Sequence, residues 1–369
     1  MAVFCQPFRW FALPMLWLAA TAGAGELWES LAPFTRPPAE FAEADASLRS
    51  PLLFRDGRRV TAPEQWPARR AEILADWHAL MGAWPPVLER PEMETLEATR
   101  RESFTQRRIR LEIAPGRHEL GYLLVPDGEP PFPAVFVPYY DPETSVGLAD
   151  RPLRDFAYQL ARRGFVTLSI GSPGGDARKP LLSDGAQCQP LSYLAYVSAN
   201  AWQALAALPE VDAQRIGIVG HSYGGKWALF GSCLWERYAC AAWSDPGIVF
   251  DETRGSVNYQ EPWYLGLDPE VTRQPGLVCP DSPRTGAYRR MIEQGRNLHE
   301  LHALMAPRPF LVSGGAEDPP KRWTALGHAL AVNRLLGHDD RVAMTNRETH
   351  GPTEESNEQI YRFFEFWLK

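Results

Sequence analysis

The sequence predicts an α/β fold: a mostly parallel central sheet with helices on both faces. Three observations predict it. From Ala134 onward, short β-branched runs alternate with helical patterns, the order that βαβ units require. Within that alternation, Arg215–Val219 reads as a buried strand that passes through a glycine-rich turn straight into a helix beginning near Lys226. Finally, no internal repeat or low-complexity tract interrupts the pattern, so a solenoid or a disordered chain is excluded.

Composition sets the scale. A chain of 369 residues, 45% hydrophobic, can bury a large core. A net charge of −7 without a basic block argues against nucleic acid as a partner. The 13 tryptophans and 34 prolines fit a loop-rich enzyme better than a helical bundle.

Residues 1–24 read as a signal peptide. Arg9 precedes an apolar run from Trp10 to Ala20, too short to span a bilayer, and Ala22-Gly23-Ala24 offers a small-residue cleavage site. This predicts a secreted or periplasmic protein with no stable membrane insertion once the signal is removed. Cys188, Cys233, Cys240 and Cys279 would then meet an oxidising compartment, with disulfides and reduced buried thiols both open.

Residues 25–100 form an N-terminal extension expected to pack on the core. Leu52–Gly57 reads as a short strand and turn. Thr61 with Glu64 suggests a capping box, and Trp66, Ile73, Leu74, Trp77 and Leu80 recur at helical spacing. Residues 101–369 form the catalytic domain. Strands are expected at Phe104–Gln106, Ile109–Ile113 and Leu120–Val125, then at Ala134–Tyr139, Phe165–Ile170, Ala239–Trp243, Pro309–Ser313 and Val342–Thr345. Helices are expected at Pro152–Arg163, Leu191–Leu208, Leu326–Leu336 and Glu355–Leu368. The stretch of about 249–299 lacks a partner strand and reads as an insertion over the functional edge.

Gly220-His221-Ser222-Tyr223-Gly224 is a G-x-S-x-G pentapeptide set between strand and helix, the context of a nucleophile elbow. A serine hydroxyl attacks only when an imidazole takes its proton and a carboxylate orients that imidazole. Of eight histidines, His350 lies in a loop after the last strand, where a serine–acid–histidine chain order requires the base. Asp318, after the strand ending at Ser313, is the favoured acid, with Asp245 after the preceding strand as its rival. The oxyanion hole is expected from the N–H of Tyr223 and a donor on the turn after Val137. Pro138 has no N–H, so that donor is Tyr139 or Tyr140, with Tyr140 preferred. Lys226 and Trp263 are candidate substrate contacts, Trp263 by stacking on a sugar and Lys226 by attracting an acidic substituent. Both have structural alternatives: Trp263 as a hydrophobic plug, and Lys226 as the holder of a structural carboxylate such as Asp251 or Glu252. His299 and His302 share a spacing but no wider ligand pattern, so no metal and no cofactor is expected.

These residues, in this order, resemble the α/β-hydrolase superfamily from about Arg100 to Lys369. Trp66-Pro67-Ala68-Arg69-Arg70-Ala71-Glu72-Ile73 and the elbow with Lys226 look similar to secreted carbohydrate esterases, the glucuronoyl and acetyl xylan esterases in particular. The resemblance implies a serine hydrolase that cleaves small-molecule or carbohydrate esters through an acyl-enzyme. Glucuronoyl esterases carry Cys-Ser-Arg-Asn-Gly-Lys where this chain has His221-Ser222-Tyr223-Gly224-Gly225-Lys226. Their acid often follows the sixth strand, which keeps Asp245 in view. The alternatives are a prolyl-oligopeptidase-like or dienelactone-hydrolase-like hydrolase and an inactive binding protein of the same fold.

Overall fold

The computed structural model describes residues 25–176, 181–183, 186–255, 265–268, 270–271 and 276–369. The expected signal peptide and Trp263 lie outside these residues. Nine strands form one sheet in the order β1-β2-β3-β5-β4-β6-β7-β8-β9. In chain order these are Met93–Arg101, Phe104–Ala114, Arg117–Pro126, Phe132–Phe136, Val166–Ile170, Val211–His221, Cys240–Ser244, Phe310–Gly314 and Val342–Asn346. Strands β1 to β3 form an antiparallel meander whose last strand pairs antiparallel with β5. From β5 through β4, β6, β7 and β8 to β9, every neighbour is parallel.

The helices used below are α1 (Trp66–Met81), α2 (Phe156–Arg162), α3 (Pro190–Ala206), α4 (Tyr223–Leu234), α5 (Gly286–Glu293), α6 (His299–Leu304), α7 (Trp323–Leu335) and α8 (Glu354–Leu368). Period-two alternation sends β-strand side chains into two cores. Ala134, Phe136, Ile216, Ile218, Ala241 and Trp243 enter the larger one with α1, α3 and α4. Val135, Val219, Ala242 and Leu311 enter the smaller one with α2 and α8. The short apolar strands are therefore buried on both faces, and their side chains alone would not reveal which face is which.

The structure departs from the sequence reading in places. Strand β1 went unread because Met-Glu-Thr-Leu-Glu-Ala-Thr-Arg-Arg is almost wholly exposed and lacks an apolar face. Residues 104–114 form one long strand instead of two. Helix α2 starts at Phe156, four residues after Pro152. The side chain of Gln65, not Glu64, accepts the N–H groups of Thr61 and Ala62 before α1. Helices α5 and α6 lie inside the stretch read as an insertion. Cys188, Cys233, Cys240 and Cys279 are free thiols, the first three buried.

The N-terminal segment is fastened by polar contacts as well as by α1. Trp77 donates its indole N–H to Glu300 at 3.0 Å, and Arg296 bridges Glu300 and Asp76. The rings of His299 on α6 and His328 on α7 sit 4.8 Å apart, bonded through Nε2 to the carbonyls of Arg49 and Asp45.

Burial depresses the pKa of His299 to about 4 and lowers those of His221, His302 and His328. Such imidazoles stay neutral in the folded protein while the unfolded chain takes up protons near pH 6.5. Stability is thus full above 6.5 and drops as pH falls towards 4, at most on the order of 1 kcal/mol per histidine per pH unit. Buried Asp318, raised to about 6, works in the opposite sense as it gains a proton below that value. The histidines outnumber it, so Tm should fall between pH 7 and pH 5, and His299→Asn should make that slope shallower. A flat profile in differential scanning fluorimetry would contradict the burial argument.

Candidate active site

Ser222 follows the last residue of β6 and adopts φ 57°, ψ −117°. For a non-glycine residue this is strained, and the surrounding packing holds it there. A methyl group on Gly220 would lie 2.1 Å from the Gly224 carbonyl, so the turn closes only with glycine. Ser222 N–H donates to the Ser244 carbonyl at 2.8 Å, tying the elbow to the end of β7. The next strand repeats the device. Asp245 follows the last residue of β7, has φ 48°, and donates its N–H to Ser313 at the end of β8.

His350 lies between them on the loop between β9 and α8. Its Nε2 is 2.9 Å from Ser222 Oγ, and its Nδ1 is 2.7 Å from Asp245 Oδ2. Because the carboxylate accepts Nδ1–H, the Nε2 lone pair faces the serine hydroxyl. Asp245 is fully buried, whereas the His350 side chain is 42% exposed and open to an incoming molecule.

Asp318, the favoured partner of His350 on sequence grounds, is not in contact with it. Its carboxylate points instead at the loop after β7, accepting the N–H groups of Gly247 at 2.8 Å and Ile248 at 2.6 Å. In return, the backbone N–H groups of Glu317 and Asp318 donate to Asp245. The two loops thus exchange carboxylates for amides. Gly315 makes room: a methyl there would come within 2.8 Å of Asp245 Oδ2 and 2.4 Å of the Thr349 carbonyl.

Lys226, expected to meet substrate, is buried with the whole of α4 and cannot reach one. Its ammonium donates to the Gly247 carbonyl and lies 5.0 Å from the Phe250 ring centre. Burial lowers its pKa to about 8, and the nearby Asp318 charge opposes that shift. The same burial, with the Asp245 charge added, raises Asp318 to about 6. Arg322 Nε approaches Asp318 at 3.9 Å. Lys226 thus holds the loop after β7 through Gly247, with the Asp318 charge nearby, whereas Asp251 and Glu252, its expected structural partners, pair with Arg322 and Arg284.

The turn after β4 rests on the elbow. Pro138 O would lie 2.3 Å from a methyl on Gly224, so only glycine lets the two segments meet. Tyr139 N–H donates to Ile170 at 3.3 Å and belongs to the sheet. The ring of Tyr140, 38% exposed, lies 5.0 Å from that of Tyr223. Tyr223 OH shares a 2.9 Å hydrogen bond with Ser172 Oγ.

Two further residues support the Ser222–His350–Asp245 relay, Arg347, which escaped the sequence reading, and His221 of the elbow. Arg347 donates to the carbonyls of Ser313, Gly314, His350 and Gly351 and to two serine hydroxyls, pinning the His350 loop to β7 and β8. His221 lies under His350 with ring centres 4.8 Å apart, its Nδ1 within 3.1 Å of Ser244 Oγ. Burial, then the His350 charge, keeps its pKa well below 6.5, so it is a neutral support. An arginine three residues before the histidine was the only available signal. Among the described residues, no cluster of His, Cys, Asp and Glu is arranged to hold a metal ion, and no helix is long and apolar enough to cross a membrane.

Residues 92–239 match the model of the FrsA-like esterase family. No curated protein matches the chain. Among solved structures, a glucuronoyl esterase from Solibacter usitatus superposes with a TM-score of 0.69 at 18% identity, covering 89% of this chain and 100% of the other. A carbohydrate esterase family 15 glucuronoyl esterase from Teredinibacter turnerae gives 0.62 at 17% identity, covering 94% and 100%. A glucuronoyl esterase from Sporotrichum thermophile gives 0.54 at 15% identity, with 90% of each chain covered. With its mostly parallel sheet, its strained serine between strand and helix, and these likenesses, the chain has the α/β-hydrolase fold and is similar to known ester hydrolases.

Proposed function

We propose that the protein is a secreted serine esterase that cleaves carboxylic esters of carbohydrates through a Ser222–His350–Asp245 triad. The observation that carries this reading is the relay itself, with 2.9 Å from serine to imidazole and 2.7 Å from imidazole to carboxylate. In the first step Ser222 Oγ bonds to the ester carbonyl carbon while His350 Nε2 takes the hydroxyl proton. As the alkoxy group leaves, it receives that proton, giving an acyl-enzyme that water cleaves by the same route in reverse. The backbone N–H groups of Tyr223 and Tyr140 are proposed to hold the oxyanion, since Pro138 has no N–H and that of Tyr139 is engaged in the sheet. The glucuronoyl esterases among the structural neighbours suggest sugar uronate esters as a substrate class, with acetyl esters beside them.

The test is turnover of p-nitrophenyl acetate and of acetylated and uronate-esterified sugars, set against an aminoacyl-proline nitroanilide. Cleavage of the esters alone supports the reading. Cleavage of the anilide alone would make the protein a peptidase, and silence on all of them would make it a binding protein. Export is part of the proposal. The exported protein is expected to start near Gly25, and an intact Met1 on it would refute removal of the leader.

A further inference from the structure

Three basic side chains surround the triad, and two are already engaged. Lys226 is buried against Gly247 and Asp318, and Arg347 is spent on backbone carbonyls and serine hydroxyls of the surrounding loops. Arg154 differs. It stands half-buried just before α2, in the loop that follows the oxyanion turn. Its guanidinium lies 3.8 Å from where a side chain on Gly351, the neighbour of His350, would begin. Its charge is felt by His221 beneath the His350 ring and by Tyr139 at the oxyanion turn. It bonds Tyr139 and donates across a long 3.3 Å to the Pro152 carbonyl. Among the described residues it has no carboxylate partner. The neighbouring acids are occupied elsewhere: Asp155 accepts from Gln159, and Asp141 caps the helical turn at Thr144.

A half-buried guanidinium presents five donors in a planar fork suited to a carboxylate, and here most of them are not committed to the fold. It stands next to Gly351, which follows the 42% exposed His350, and bonds Tyr139, whose ring lies 4.9 Å from that of the exposed Tyr140. We propose that Arg154 is a specificity-determining residue that recognises a carboxylate carried by the ester substrate at a distance from the scissile bond. This rests on the esterase reading and sharpens it: the preferred substrates are half-esters or acidic-sugar esters over their neutral counterparts.

The experiment compares mono-p-nitrophenyl adipate with its methyl-capped diester, a pair differing by one carboxylate. In the wild type, kcat/KM for the anionic ester should exceed that for the neutral one by about tenfold at low salt, the scale of a charge-assisted hydrogen bond. Arg154→Gln should bring that ratio close to one, Arg154→Lys should restore part of it, and added salt should shrink it because the group is half-exposed. An Arg154 with only a structural role would lower both rates together and leave the ratio untouched, which would overturn the proposal. Calorimetry in a Ser222→Ala background separates this outcome from failure of the esterase reading. Monomethyl adipate should bind at least about fivefold more tightly than dimethyl adipate, and Arg154→Gln should remove the difference. If neither ester is turned over, the esterase reading fails and the calorimetric comparison still decides the role of Arg154.

Discussion

Ser222→Ala is expected to lower kcat for ester hydrolysis by on the order of 10⁶-fold while the folded protein persists. The substitution removes only the hydroxyl oxygen, which contacts His350 Nε2 at 2.9 Å. The backbone bonds of Ser222 to Ser244 and Lys226 are untouched, so the elbow should keep its shape. His350→Ala should do similar damage, and the double variant should be hardly worse, because the residues act as one unit. A fluorophosphonate should label Ser222 in the wild type and nothing in the alanine variant. Activity within tenfold of the wild type would exclude Ser222 as the nucleophile.

The second large effect separates the two aspartates. Asp245→Asn should cost about 10⁴-fold in kcat with little loss of stability, because an amide facing Nδ1 favours the wrong imidazole tautomer. Asp318→Asn should behave in the opposite way. Its amide nitrogen would oppose the N–H of Gly247 or Ile248 and leave Lys226 and Arg322 without their counter-charge. Breaking such a buried group costs about 3 kcal/mol, so Tm should fall by several degrees while kcat changes by no more than about tenfold. A reversed pattern, with Asp318→Asn catalytically dead and Asp245→Asn active, would return the acid to the position the sequence favours.

That pair also shows where sequence reasoning reaches its limit. The serine, the histidine and the order of parallel strands were legible because each depends on local pattern: β-branched runs, a glycine-flanked turn, a loop after the final strand. Choosing between the two acids was not a local matter. Both follow a strand at the functional edge, and only the packing of the loop containing Gly315 turns the backbone of Asp318, and not its carboxylate, towards the site. Lys226 misled for a related reason. One turn into the elbow helix it looks accessible, but the loop after β7 covers it. Arg347 offered only its place three residues before His350, and Arg154 gave no signal, because nothing in a loop composition tells which arginine will be consumed by carbonyls and which left open. Strand β1 was missed for want of an apolar face, its partner β2 supplying the pairing that its own side chains do not advertise.

All twelve residues of α4 are buried, from Tyr223 beside Ser222 to Leu234. The serine is therefore mounted on an element with no solvent-facing side, and the amide protons beyond its first turn exchange only when the core around it opens. Loss of the site on heating should then coincide with loss of the domain, without a stage at which Ser222 loosens on its own. Substitutions within the helix will mostly be rejected as packing faults before their effect on chemistry is felt. Adaptation to new esters is consequently confined to the loops that face the helix, where residues such as Arg154 and Tyr140 can vary without disturbing the frame.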